Sequence, residues 1–177
     1  MNEREKSEMR WEEFRTVARE VALKYVLSMP VWHSDHEKQS VRLTRIDDAC
    51  LAEWEARWTE KMFDWREIDA HFKREKDRFE VAIWYGAALC GLCAGRSSNG
   101  PDNVTLHFLE SWRPHNPLRG RIALLATEAA DRFAKMQGKQ RVKLKDPLPQ
   151  AIVVYERLRF VLVEPLGRVR YYARPVG

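Results

Sequence analysis

The residues able to do chemistry concentrate between Val104 and Met136, where VTLHFLES passes through WRPHNPLRG into RIALLATEAADRFAKM. Thr105, His107 and Leu109 alternate with Val104, Leu106 and Phe108, a pattern for a strand covered on both faces. Pro114, Pro117 and Gly120 then break the strand. Beyond them Ile122, Leu125, Ala129, Phe133 and Met136 fall three or four residues apart, on one face of a helix that Gly138 closes as a left-handed C-cap. A strand that turns through glycine into a helix leaves backbone N–H groups unpaired where the helix dipole is positive. That arrangement binds phosphate.

Context sets the other reactive residues aside. Cys90 and Cys93 have the spacing of a zinc or redox pair, but ALCGLCAG reads as a strand in which residues three apart face opposite sides. No second Cys or His pair lies at ligand spacing, so these two and Cys50 read as ordinary buried thiols. His33, Asp35 and His36 sit in a polar linker, VWHSDHEKQS, where such residues occur by chance. No metal site is expected.

Several elements must hold the central strand and helix in place. A helix from about Ser7 to Met29, ended by Pro30, carries Trp11, Phe14, Ala18, Val21 and Tyr25 on one face, with Arg15, Arg19 and several glutamates mostly on the others. It either packs back on the domain, the favoured reading, or offers a partner or dimer surface. Ser40–Ile46 reads as a first strand. Asp47 caps a helix carrying Leu51, Trp54, Trp58 and Met62, and Asp64 with Glu67 starts another through Ile68 and Phe72. Phe79–Tyr85 and Ala88–Ser97 form a hairpin around Gly86-Ala87. After Gly138 come a strand over Gln140–Lys145, a helix through Ile152, Val153, Tyr155, Glu156 and Leu158, and strands over Phe160–Val163 and Val169–Tyr172.

The run Pro114-His-Asn-Pro-Leu-Arg-Gly120-Arg-Ile-Ala-Leu-Leu125 resembles the acyl-CoA pyrophosphate loop of the GNAT superfamily of N-acyltransferases, P-x-x-(Q/R)-x-x-G-x-(G/A)-x-x-L. Pro114, Gly120 and Leu125 stand at the expected spacing; Pro117 replaces the Gln or Arg, and Ile122 the small residue. Tyr155-Glu-Arg-Leu-Arg-Phe160 is similar to the family's late Y-E-x-x-G-F run, with Arg159 where Gly is usual. The element order from about Val41 onward is also that of the superfamily. The resemblance implies an α/β (α+β) fold with a mixed, splayed sheet flanked by helices over residues 40–177, preceded by an N-terminal helix and linker over 1–39. It implies that the strands ending near Trp112 and Lys145 part like a V. The pantetheine arm of acetyl-CoA would then run along Leu109, Ser111 and Trp112, and its pyrophosphate would sit on Leu118, Arg119, Gly120, Arg121 and Ile122.

The implied activity is transfer of an acetyl group from acetyl-CoA to a primary amine of an unknown acceptor. A protonated amine must lose a proton before it attacks a thioester, and the leaving thiolate gains one. Glu110, near the end of the central strand, is the candidate base and His107 the runner-up. Tyr155 stands where many superfamily members keep the thiol-protonating Tyr. Trp54, Trp58, Trp65 and Phe72 either line an acceptor pocket or pack as core, with core packing favoured. The alternative is a catalytically silent GNAT-fold protein acting through protein–protein binding or homodimerisation by its first helix, which the departures at Pro117, Ile122 and Arg159 support.

Composition bounds these readings. With 177 residues, 45% hydrophobic and 32% charged, the chain fits one globular domain with a modest appendage. The 31 Lys and Arg against 26 Asp and Glu give a net charge of +5, read as solvation, since no basic run or recognised motif points to nucleic acid. No apolar run is long enough to span a bilayer, and the charged first residues argue against a secretory signal, so a cytoplasmic location is expected.

Overall fold

The computed structural model describes residues 1–177, the side chain of Glu164 excepted. Helix α1 (Glu3–Leu27) starts at a reciprocal capping box between Asn2 and Glu5. That box is entirely polar, which is why hydrophobic periodicity alone places the start too late. The buried face also differs from the expected one. Val21 and Tyr25 are exposed, while Arg15, Ala18, Arg19, Ala22 and Val26 are buried.

The reason lies in helix α5 (Ile122–Met136), against which α1 packs. Ala18 and Ala22 share one core cluster with Ala126, Ala129 and Ala130, small residues that let two helix axes come close. The two arginines, expected outside, are buried with their donors occupied. Arg15 reaches Glu8 at 2.9 Å, Glu12 at 3.0 Å and the carbonyl of Lys76 at 3.1 Å; Arg19 reaches Glu12 at 3.0 Å and the carbonyl of Glu80 at 3.3 Å. Burial of a guanidinium is tolerable when its N–H groups find acceptors in this way.

A short helix α2 (Asp35–Ser40), capped by Ser34, occupies part of the expected linker; six polar residues carry no periodicity to betray it. Strand β1 (Val41–Thr44) leads to α3 (Asp48–Arg57) and α4 (Trp65–Phe72), whose caps Asp47 and Asp64 accept from the backbone N–H groups of Cys50, and of Arg66 and Glu67, as their spacing predicts. Trp58 is the residue that ends α3, so Met62 lies outside the helix. Strands β2 (Arg78–Tyr85) and β3 (Ala88–Ser97) form the expected hairpin, followed by β4 (Asn103–Ser111). After α5 come β5 (Arg141–Lys145), a 3-10 turn (Pro149–Ala151), α6 (Ile152–Arg157), β6 (Val161–Leu166) and β7 (Val169–Pro175).

The strands form one seven-stranded sheet in the order β1-β2-β3-β4-β5-β7-β6, in which β4 and β5 are the parallel pair, joined by α5 as crossover. One core cluster lies under α1 and α5. The second, under α3 and α4, includes Trp54, Trp58, Trp65 and Phe72, which are therefore core. A bulge corrects the reading of Cys90 and Cys93. Ile83 pairs with Gly91 and Trp84 with Leu89, so Cys90 is an extra residue and both thiols enter the α1/α5 cluster. All three cysteines are free and buried, and burial pushes the Cys90 thiol up to about 11. Among the described residues no helix is long and apolar enough to cross a membrane.

Candidate active site

Strand β4 pairs with β5 only from Asn103 to Leu106, opposite Arg141 to Leu144. Beyond Leu106 it keeps its partner β3, as far as Ser111 against Gly91, while β5 diverges. One edge of residues 107–111 therefore faces the gap between the parted strands. A second bulge lies at the start of this gap: Ala94 opposes Phe108 and Gly95 opposes Leu106, which leaves His107 extra. Gly95 permits the close approach, since a Cβ there would lie 2.0 Å from the carbonyl oxygen of Thr105. The bulge sends His107 and Phe108 to the same side, with their rings 5.6 Å and 6.3 Å from that of Phe72.

The loop after β4 is fixed from β3. The carbonyl of Cys90, in the first bulge, accepts from Trp112 N at 2.9 Å and from the Asn116 side-chain amide at 2.8 Å. Asn116 Oδ1 in turn accepts from Leu118 N at 2.8 Å. Gly120 then adopts φ +85°, open to glycine at little cost, and Arg121 is the N-cap residue of α5. No side chain caps this helix and no acidic residue occupies its first turn, so its leading N–H groups and positive dipole end are available to an anion.

The motif side chains divide sharply. Leu118 is fully buried and contributes only backbone. Arg119 is exposed and lines a cavity of about 400 Å³ with Ser111, Trp112, Arg113 and Gly120. Arg121 points elsewhere: it pairs with Glu37 of α2, donates to the carbonyls of Val31 at 3.3 Å and Pro117 at 3.2 Å, and stacks on Trp32 at 4.6 Å. Its guanidinium ties the segment after α1 to the loop. Ile122 does not crowd the loop, because its side chain occupies the space that Gly91 leaves open; a Cβ on Gly91 would stand 2.7 Å from Ile122 Cγ2.

Gly120, Ile122 and Ala123 line a cavity of about 250 Å³ together with Leu109, Glu110, Ser111 and Tyr155, so the helix start, the unpartnered edge of β4 and two of the three candidate catalytic residues border it. Glu110 is buried, and both its oxygens hold donors: Met62 N, and Trp65 Nε1 at 2.7 Å. These bonds tie the connection between α3 and α4 to β4. Tyr155, on α6, is buried, and burial followed by the neighbouring Cys93 pushes its phenol well above the usual range. The phenol keeps its proton at neutral pH, and the same shift makes it a weaker acid. His107 lines the adjoining cavity; burial, then the charges of Lys145 and Arg96, push it down to about 4, so it is neutral at pH 7.

Tyr155 is held by the end of its helix. Phe160 N donates to the carbonyl of Tyr155 at 3.0 Å and Arg159 N to that of Glu156 at 2.9 Å, with Arg159 at φ +69°. The left-handed geometry that glycine would adopt is thus present at Arg159. Sequence reasoning missed Asn116, Gly91 and the Glu37–Arg121 pair. Asn-Pro as a turn-initiating pair was a signal for the first; the others depend on tertiary contacts.

The sequence matches no protein-family model and no curated protein. Solved structures do match. A putative acetyltransferase of the GNAT family from Desulfovibrio desulfuricans superposes with TM-score 0.59 at 15% identity, covering 77% of this chain and 99% of that one. The ribosomal-protein-S18-alanine N-acetyltransferase from Escherichia coli gives 0.57 at 13%, over 77% and 94%. An aminoglycoside 6'-N-acetyltransferase complexed with coenzyme A gives 0.57 at 14%, over 76% and 97%. This chain has the GNAT fold. Nearly a quarter of it has no counterpart in these structures.

Proposed function

We propose that the protein is an N-acyltransferase that moves an acetyl group from acetyl-CoA to a primary amine. The carrying observation is convergence: the uncapped start of α5, with the positive-φ turn at Gly120, opens onto the same cavity as the unpartnered edge of β4 and Tyr155. Anionic pyrophosphate suits the former, an extended amide-bearing arm the edge of β4, and a protonated phenol the departing sulfur. The coenzyme A bound to one structural neighbour supports this choice of donor.

On this reading the backbone N–H groups near Leu109 and Glu110 stabilise the oxyanion formed as the amine attacks. Tyr155 then gives its proton to the leaving thiolate. Because Glu110 already holds two donors, its direct task is positioning, and a water between it and the amine carries the amine's proton. Arg119 and Arg113 flank the phosphate end, whereas Arg121 steadies the loop from behind. Three free thiols accord with a reducing, cytoplasmic compartment.

Calorimetric titration with acetyl-CoA tests the reading. The parent should bind, and Gly120→Asp should not, because a Cβ at φ +85° and a carboxylate oppose both turn and phosphate. A folded Gly120→Asp variant with parental affinity refutes the loop assignment. Binding without turnover across a broad amine screen would favour the interaction-protein alternative.

A further inference from the structure

Two cavities meet at Tyr155. The one on the α5 side suits the coenzyme. The other, of about 340 Å³, shares Leu109, Leu148, Ala151 and Tyr155 with it but extends to Phe63, in the connection between α3 and α4. Leu106 and Leu144, the last paired residues before β4 and β5 part, form its floor. Phe63 and Phe108 form an aromatic wall, edge to face at 5.2 Å, and the bulge in β4 brings His107 beside them. Thus the far wall is apolar and aromatic, with one neutral imidazole able to accept a hydrogen bond.

Charge is confined to the mouth. Lys145 and Asp146 are exposed, and Asp146 lies 3.9 Å from Arg170. Among the described lining residues Asp146 is the one carboxylate, and Lys145 adds a like charge against any cation. A polyamine would have to shed several hydration shells into a cavity that offers it a single, already paired, counter-charge. A monoamine needs only one nitrogen desolvated, and its apolar body gains from burial.

Resting on the acyltransferase reading above, we propose that this second cavity is the acceptor site and that it selects a compact monoamine with an aromatic or apolar body over polycations. The ring lies against Phe63 and Phe108, and the amine points past Leu109 toward the thioester. The ammonium first loses one proton; the neutral nitrogen then bonds to the acetyl carbon, the carbon–sulfur bond breaks, and the nitrogen loses a second proton. One proton goes to the thiolate, so each turnover yields amide, free thiol and one released proton.

The test uses the full chain with acetyl-CoA and follows thiol release with 2-phenylethylamine and with kanamycin, alongside calorimetry of each amine at saturating coenzyme. The expected kcat/KM for 2-phenylethylamine exceeds that for kanamycin at least a hundredfold. Phe108→Leu, a conservative change, and Phe108→Ala should raise its KM, by about tenfold for Ala, while the affinity for acetyl-CoA stays at the parental value, which a merely structural Phe108 would not produce. Lys145→Glu should narrow the preference. Equal or better use of kanamycin overturns the inference, as does coenzyme binding with no binding or turnover of 2-phenylethylamine. Absence of coenzyme binding in the parent overturns the acyltransferase reading and this inference with it.

Discussion

Replacing Gly91 by alanine tests whether Ile122, the residue most at odds with a phosphate loop, is accommodated by the sheet. The added Cβ would stand 2.7 Å from Ile122 Cγ2 and 3.2 Å from its Cδ1. Carbon atoms prefer about 3.5–4.0 Å, so the shortfall is close to 1 Å. Ile122 is buried in the first turn of α5 beside Gly120, and relief requires a poorer rotamer or a shift of the helix start. Overpacking of this kind costs about 1–3 kcal/mol. Ile122→Ala alone should cost about 2–5 kcal/mol through the space it empties. In the double variant the methyl added by Gly91→Ala fills part of that space, so the two losses should fall short of their sum by roughly 0.5–3 kcal/mol. Urea unfolding followed by tryptophan fluorescence measures the cycle, and calorimetry with acetyl-CoA measures its consequence: Gly91→Ala weakens binding by displacing the loop, and adding Ile122→Ala restores it. Additivity within about 0.5 kcal/mol, or a neutral Gly91→Ala, would show that the two residues do not share this space.

Tyr155→Phe keeps the ring and removes its proton, so turnover should fall about a hundredfold to ten-thousandfold with acetyl-CoA affinity unchanged; parental turnover would move the proton to a bound water. Arg159→Gly should stabilise the fold by roughly 0.5–1 kcal/mol, the left-handed cost of about 1–2 kcal/mol less the entropy that glycine adds to the unfolded chain, and a lowered Tm would contradict it. His107 is held near 4 against an ordinary 6.5, so the unfolded chain binds the extra proton between those values and stability should fall as pH drops through that window. His107→Leu should flatten that part of the dependence of the urea midpoint on pH; an unaltered slope would assign it to other groups.

Where a residue acts within its own neighbourhood, the sequence was a sufficient guide. Asp47 and Asp64 cap the helices they precede, and Gly138 at φ +68° closes α5 through the paired bonds of Lys139 to Ala134 and Gly138 to Lys135, because such bonds span only a few residues. The loop spacing and element order likewise carried the fold. Three features were out of reach for one physical reason, that each depends on pairing or packing with another strand or helix rather than on the local sequence. The bulges at Cys90 and His107 exist only in register with β2 and β3, and without the first, alternation puts Cys90 and Cys93 on opposite faces. Arg15 and Arg19 look external to any periodicity that counts charge as solvent-facing, until the carbonyls at Lys76 and Glu80 supply acceptors.

The departures from the family motifs show the same dependence with a functional consequence. Ile122 is tolerated because Gly91, on another strand, has no Cβ, and Arg159 holds the positive φ that a glycine would have held. With both residues in place the first turn of α5 remains uncapped by any side chain and Tyr155 still lines the same cavity. Ile122 also removes slack, because it fills the space that Gly91 leaves beneath the loop. A loop braced by Ile122 below and by Arg121 on Glu37 and Trp32 behind has fewer ways to relax when empty. Under the proposed function, less conformational entropy would then be lost on binding, so coenzyme affinity would gain from preorganisation rather than from added contacts.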